Sequence, residues 1–111
     1  MSIIRIDARR LTDATALHSV LSETFGFPAT YGKNMDALVD CLTHLDDLKA
    51  GMSRVQVVPG EVAVLVLEHT AGLNKKAAEQ VKALVDAVAF VNWRRLEKGQ
   101  RPVLALAYER V

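Results

Sequence analysis

The sequence is poor in the residues from which metal and redox sites are built. It has one cysteine, Cys41, so no internal disulfide can form, which fits a reducing compartment. Its three histidines, His18, His44 and His69, are scattered and have no second ligand at the spacing of a zinc motif. We therefore expect no metal site and no cofactor.

Phosphate-binding loops and long basic runs are also missing. Neither G-x-G-x-x-G nor G-x-x-x-x-G-K-[ST] occurs in the chain. The segment "GLNKK" from Gly72 places Lys75 and Lys76 near a helix start, yet a solvated helix face is the more common role of such lysines. The net charge is +1 and no cluster of Lys and Arg resembles a phosphate-binding patch, so we expect no nucleic-acid partner.

Hydrophobic runs are short. The most apolar stretch, "VAVLVLEH" from Val62, is far below the roughly 18 residues that span a bilayer. Charges at Asp7, Arg9 and Arg10 interrupt the N-terminal "MSIIRIDARR", which does not resemble a secretory signal. The chain has 111 residues, of which 50% are hydrophobic, so we expect a single domain over residues 1–111 with one core. Because neither a secretory signal nor a run long enough to span a bilayer is present, we expect a cytoplasmic protein without a membrane partner.

Hydrophobic periodicity predicts strands and helices in the order β, α, α, β, α, β. The predicted strands are "SIIRID" from Ser2, "EVAVLVLEH" from Glu61 and "VLALAYER" from Val103. The second contains a continuous apolar run from Val62 to Leu67, as in a central strand covered on both faces. A further short strand is expected at "SRVQVV" from Ser53. Strands separated by helices require crossovers, so the predicted fold class is α/β with a small, mainly parallel sheet.

Three helices are delimited by residues that begin or end helices. The first ends at Gly26, and the second begins after Asn34, a residue type that caps helix N-termini. The third runs from Leu73 to about Lys98, where Gly99 can end it in a left-handed conformation. In the second helix, four apolar residues share a stripe that we expect to face the core: Met35, Leu38, Leu42 and Leu45.

The second helix also carries two aspartates, Asp36 and Asp40, one turn apart on a neighbouring face. The helix dipole favours a carboxylate in the first turn by about 0.3–1 kcal/mol, which accounts for Asp36. Asp40 falls in the second turn, where Asp is a poor helix residue, and like charges at this spacing cost about 0.2–0.5 kcal/mol. The pair is therefore either an ordinary solvated face or a functional one, and the residues alone leave both open.

Catalysis finds little support in these residues. Two carboxylates can act as general acid and base when their environments separate the pKa values, but an exposed helix face offers no such environment. Cys41 lies beside Asp40, whose charge would oppose thiolate formation, so we expect a small buried core residue there. No catalytic residue is predicted, and a small enzyme is the least favoured class.

The segment "FGFPATYGKNMDALVDCLT" closely resembles the barstar family, small protein inhibitors of barnase-type ribonucleases. The matching elements stand at fixed spacing without a gap: Pro28, Tyr31-Gly32, Asn34, Asp36-Ala37-Leu38 and Asp40-Cys41-Leu42-Thr43. Downstream, "VLVLEH" resembles the second strand of the family, and the match there requires an insertion around residues 44–61. The resemblance covers effectively the whole chain, with high specificity over about a fifth of it.

The resemblance implies a three-stranded parallel sheet packed with helices, and a function. Family members block a basic ribonuclease with the second helix and the loop before it, and Asp40 matches the central inhibitory aspartate, with Asp36 its partner. Opposite charge steers such encounters, for which the barnase–barstar pair is the standard worked case. The implied partner is a basic ribonuclease or related toxin. The implied contact residues are Tyr31, Gly32, Asn34, Asp36, Val39, Asp40, Thr43 and His44.

Several positions depart from the best-known family member. Thr30, Val39 and His44 stand where that member has aromatic side chains, which commonly anchor interfaces. Asn92 stands where a later helix of that member supplies a glutamate near the interface. Asp46 and Asp47 are expected to restore some negative charge, and we expect a partner other than barnase.

An alternative is a regulatory or interaction protein that has kept the fold and lost ribonuclease inhibition. The segment "NWRR" motivates it, because Trp93, Arg94 and Arg95 could bind an acidic protein or nucleic acid. A partly buried packing role is the more common one for such a tryptophan.

Overall fold

A computed structural model describes residues 2–111, and its three strands form one sheet. The strands are β1 (Ile3–Asp7), β2 (Ala63–Glu68) and β3 (Leu104–Tyr108), in the order β1-β2-β3. Both neighbouring pairs are parallel, and β2 is central. This confirms the predicted α/β class with a parallel three-stranded sheet, and the central position of β2 explains why its sequence is apolar from Ala63 to Leu67.

Three α-helices connect the strands: α1 (Ala14–Phe25), α2 (Met35–Thr43) and α3 (Lys75–Glu97). Gly26 ends α1 with φ at +68°, and a Cβ there would lie 2.7 Å from Cβ of Arg54. Glycine is therefore required at this position both by the left-handed backbone and by the close approach of another chain segment. Gly99 follows α3 with φ at +73°, as predicted.

Asn34 caps α2 as expected, because its Oδ1 accepts a hydrogen bond from the Ala37 N–H at 2.8 Å. Three of the four residues in the predicted apolar stripe are buried in the core: Leu38, Leu42 and Leu45. Met35 is the exception at 37% exposed, because it is the first residue of the helix and lies at the edge of a surface groove.

The prediction of an extra strand at residues 53–58 is wrong. The Arg54 and Val55 N–H groups both donate to the Phe25 carbonyl, at 2.9 and 3.1 Å, and the Val57 N–H donates to the Leu45 carbonyl at 2.9 Å. These donors are engaged at the ends of α1 and α2, so they form no ladder with the sheet. The alternating pattern of the segment instead places Val57 in the core.

Within residues 2–111, no helix is both long and apolar enough to cross a membrane. Nowhere in this range do three or more His, Cys, Asp or Glu side chains come together as a set that could hold a metal ion.

Candidate partner-docking site

Helix α2 directs the Asp36 and Asp40 side chains into solvent, while its opposite side is buried in the core. The Asp40 side chain is 59% exposed. Within residues 2–111, neither carboxylate forms a salt bridge with a lysine or arginine. Two like charges one turn apart are therefore presented to solvent, without a lysine or arginine partner among the described residues.

His44 lies next to Asp40 at the C-terminal end of α2. Its Nδ1 is 2.8 Å from the Asp40 carbonyl oxygen, and because a carbonyl can only accept, Nδ1 carries the hydrogen. The neutral ring then presents Nε2 as an acceptor. The same Nδ1 lies 3.7 Å from Asp40 Oδ1, so protonation of the ring would place a positive charge beside this carboxylate.

The loop before α2 is held by an aromatic cluster. The Tyr31 ring packs on Phe27 with centroids 4.8 Å apart, and Phe27 stacks on Phe25 at 5.7 Å. The Tyr31 hydroxyl oxygen lies 2.6 Å from Nδ1 of the buried His18. These contacts fix the position of Tyr31 relative to α1, so the loop is ordered before any partner arrives.

His18 was not predicted from the sequence as part of this site. Burial lowers the pKa of His18, and burial together with the nearby Cys41 raises the pKa of Tyr31 to about 12, so both side chains are neutral near pH 7. The available signal was the spacing of His18 with Leu21 and Phe25, which places a polar ring on the apolar face of α1. A buried polar group of this kind needs a hydrogen-bond partner.

The turn into α2 has an unusual backbone. Lys33 has φ at +53°, a left-handed conformation that costs a non-glycine residue roughly 1–2 kcal/mol. A Cβ on Gly32 would lie 3.2 Å from Asn34 Nδ2, so the small residue allows the close turn. The Asn34 side chain is already engaged in capping, which leaves it a structural role in presenting the helix.

Val39 and Thr43 offer little surface to a partner. Each residue is only 7% exposed. The Thr43 hydroxyl donates to the Val39 carbonyl at 2.6 Å, within the same helix. The more accessible members of the predicted contact set are Tyr31, Gly32, Asn34, Asp36, Asp40 and His44. Of these six residues, five form what we call the docking face: Tyr31, Gly32, Asp36, Asp40 and His44.

The end of α2 is fixed by a buried guanidinium. Arg95 of α3 is 4% exposed and forms a bidentate ion pair with Asp46, at 3.0 Å to Oδ1 and 2.6 Å to Oδ2. It also donates to the Thr43 carbonyl at 2.7 Å and the Arg101 carbonyl at 2.8 Å. One side chain thus joins the end of α2, helix α3 and the approach to β3.

This ion pair corrects two expectations. Asp46 does not add free negative charge to the docking face, because Arg95 neutralises it. Arg95 in turn cannot belong to an exposed basic patch with Arg94. A third expectation is also wrong: Trp93 is 56% exposed, because it lies on the side of α3 that faces away from the core.

Two other residues have structural roles. The Asn92 side chain donates to the Leu104 carbonyl at 2.8 Å and accepts from the Val103 N–H at 3.0 Å. These two hydrogen bonds attach the start of β3 to α3. Cys41 is buried as predicted, and burial, with a smaller contribution from Asp40, raises the pKa of its thiol to about 11. A thiol of this kind is a poor nucleophile at neutral pH.

A model of the family described as Barstar (barnase inhibitor) matches residues 1–106. The chain belongs to the barstar family. A curated relative, "Putative ribonuclease inhibitor YrdF" from Bacillus subtilis (strain 168), is 46% identical over 48 residues, which is 43% of this chain and 53% of that protein. The match to that relative thus spans about half of its length. In this barstar-family chain, the two exposed aspartates lie on the helix of the segment that carries the strongest resemblance.

Proposed function

We propose that this barstar-family protein binds a basic ribonuclease and occludes its active site with the docking face. The observation that carries the proposal is the exposure of Asp36 and Asp40, one turn apart, without a lysine or arginine partner within residues 2–111. A ribonuclease active site must attract the phosphates of RNA, so a pair of fixed carboxylates matches its positive potential.

Charge pairs at the centre of such a contact lose their water on binding, so their pairing has a large effect on affinity. Truncating one partner of a buried, hydrogen-bonded charge pair costs about 2–5 kcal/mol, a range for which the barnase–barstar pair is itself a reference case. The Asp40 side chain is exposed in the free protein, and within residues 2–111 it has no lysine or arginine partner to leave. Binding therefore gains the charge pairing without first breaking an ion pair with a lysine or arginine.

Preorganisation supports the same proposal. Ordering a flexible side chain on binding costs about 0.5–1.5 kcal/mol, and an interface that is already ordered avoids this cost. Here the Tyr31–His18 contact holds one end of the docking face, and the contacts of Arg95 hold the other. Both ends of the docking face are therefore held in place before the partner arrives, which lowers the entropy cost of binding there.

Inhibition of this kind requires no chemistry from the inhibitor, so the proposal assigns no catalytic residue. A protein that protects cellular RNA must share a compartment with it, and we propose the cytoplasm. The partner in this proposal is a ribonuclease or related toxin, and RNA itself is not bound.

The alternative, an interaction protein without inhibitory function, draws on a different surface. Three large apolar side chains of α3 are well exposed: Phe90, Trp93 and Leu96. The basic part of that surface is smaller than the sequence indicated, because Arg95 is buried. This alternative predicts a complex that depends on Trp93 and is indifferent to Asp40.

The deciding experiment compares two single-charge variants, Asp40→Asn and Asp47→Asn. Both carboxylates are exposed, and an asparagine at position 47 retains the Oδ1 that accepts from the Lys49 N–H at 3.1 Å. Ribonucleases captured from the source cell on the wild-type protein are purified, and their cleavage of RNA is titrated with each variant. We expect Asp47→Asn to inhibit like wild type and Asp40→Asn to be at least roughly 30-fold weaker. Equal inhibition by both variants would remove Asp40 from the proposed role.

A further inference from the structure

An apolar groove runs between α2 and α3, directly beside the docking face. Its volume is about 370 Å³. We call it the α2–α3 groove, and its lining residues are Met35, Asp36, Val39, Ala83, Asp86, Ala87 and Phe90. Asp36 belongs both to this groove and to the docking face, so the two surfaces are continuous.

The groove exists because small side chains face each other across the two helices. Val39 of α2 lies opposite Ala83 and Ala87 of α3, and these short side chains leave space that larger ones would fill. Phe90 and Met35 are partly exposed along its edge.

Charge restricts what can occupy the groove. Its polar groups are two carboxylates, Asp36 and Asp86. Asp86 has only the exposed Lys82 as a partner, at 3.1 Å, and Asp36 has none within residues 2–111. An exposed pair such as Lys82–Asp86 is weak and gives way readily to a competing cation. An apolar side chain with an adjacent cation matches this lining.

We propose that the α2–α3 groove accepts an apolar side chain, aromatic or aliphatic, that the ribonuclease carries beside a Lys or Arg directed at Asp36. This inference rests on the proposed function and extends its contact surface from α2 onto α3. A cavity of about 150 Å³ is enough to bind benzene, so a groove of about 370 Å³ has room for an aromatic ring and its stem. The partner then supplies an apolar anchor to a groove lined by short side chains.

A second copy of this chain fits the groove less well. A two-fold contact would bring each carboxylate of one copy near the same acidic surface of the other, because such an interface uses the same patch on both chains. Asp36 and Asp86 would then face like charges, which disfavour the contact. The groove is therefore assigned to a partner of opposite charge.

The first test uses a small probe on the whole protein, followed by amide NMR shifts. The probe is N-acetyl-Phe-Arg-amide, and its comparison is N-acetyl-Phe-Glu-amide. We expect Phe-Arg to shift the signals of Ala83, Ala87 and Phe90 with a dissociation constant on the order of 1 mM, and Phe-Glu to bind at least about fivefold more weakly. Equal binding of the two probes, or no shifts at these residues, overturns the proposal.

The variant that fills the groove is Ala83→Phe, and its matched control is Ala78→Phe. Both alanines lie on α3, but Ala78 is exposed and lies outside the groove. We expect Ala83→Phe to abolish the shifts caused by Phe-Arg and Ala78→Phe to preserve them, with both variants giving wild-type circular dichroism. Shifts that persist in a folded Ala83→Phe protein count against the groove.

The ribonuclease titration separates this inference from the proposed function. Loss of inhibition in both Asp40→Asn and Ala83→Phe, by roughly tenfold or more in the second, supports both. Loss in Asp40→Asn alone overturns the groove and leaves the proposed function intact. If Asp40→Asn inhibits normally, the proposed function fails, and the dipeptide result alone then decides whether the groove is a binding site. Sedimentation equilibrium adds one more outcome: a wild-type dimer that Ala83→Phe dissociates assigns the groove to a second copy and overturns the proposal.

Discussion

Replacing Arg95 by alanine tests whether this residue is structural or belongs to a binding patch. Its guanidinium makes four hydrogen bonds, two to Asp46 and one each to the Thr43 and Arg101 carbonyls. Alanine removes all four and leaves the Asp46 carboxylate without its cation. The carboxylate is mostly covered, with 22% of its side chain exposed, so water compensates for the loss only in part.

The expected cost is large relative to the stability of a small protein. Removing one partner of a buried ion pair costs about 3–5 kcal/mol, whereas native proteins unfold with roughly 5–15 kcal/mol. Urea unfolding of Arg95→Ala should therefore show a much lower midpoint with a similar slope, since the slope follows the surface exposed on unfolding. The Asp46→Asn variant should lose less, because its amide can still accept one hydrogen bond from Arg95.

Arg94→Ala is the matched control. The Arg94 guanidinium carbon lies 5.7 Å from the Phe90 ring centroid, a cation–π contact worth about 0.5–1 kcal/mol at an exposed site. We expect this variant to unfold within about 1 kcal/mol of wild type. If Arg95→Ala were as stable as Arg94→Ala, the ion pair would not hold α2 against α3, and the argument for a preorganised docking face would lose its main support.

Two further predictions concern the residues that present the docking face. Asn34→Ala removes the Oδ1 that accepts from the Ala37 N–H, so the free energy of unfolding should fall by about 1 kcal/mol in a urea titration, whereas Asn34→Asp should retain most of it. The second is a pH dependence from His18, whose pKa is lowered by burial below its ordinary value of 6.5. The unfolded chain then binds a proton that the folded protein does not, so the contribution of His18 is complete above pH 6.5 and is lost as pH falls. Unfolding measured between about pH 7.5 and about pH 5 should show this loss, and His18→Gln should reduce the slope; an unchanged slope would contradict the assignment.

The order of helices and strands could be predicted because each element carries its own local signal. β2 is apolar from Ala63 to Leu67, Asn34 caps the start of α2, and Gly26 follows the last residue of α1; all three features were visible in the sequence. The segment at residues 53–58 misled the prediction because its alternating pattern resembles a strand. Whether such a segment joins a sheet depends on which carbonyls are near its N–H groups, and only the folded chain determines that.

In the candidate site, too, features with a local sequence pattern could be predicted, and contacts between distant residues could not. The paired aspartates were evident from spacing and from the unusual placement of Asp40 in a second helical turn. The ion pair between Arg95 and Asp46 joins residues 49 positions apart, and no local pattern links them. Without that contact, Arg95 resembled part of an exposed basic segment and Asp46 resembled a free charge. The open space beside Val39 likewise depends on which residues of α3 face α2.

The most direct test of the account is the dissociation constant of the ribonuclease complex for wild type and Asp40→Asn, measured by calorimetry at low and moderate salt. We predict that Asp40→Asn binds at least roughly 30-fold more weakly and that wild-type affinity falls as salt rises, because the proposed contact is electrostatic. An Asp40→Asn protein that is folded and binds the ribonuclease as tightly as wild type would contradict it.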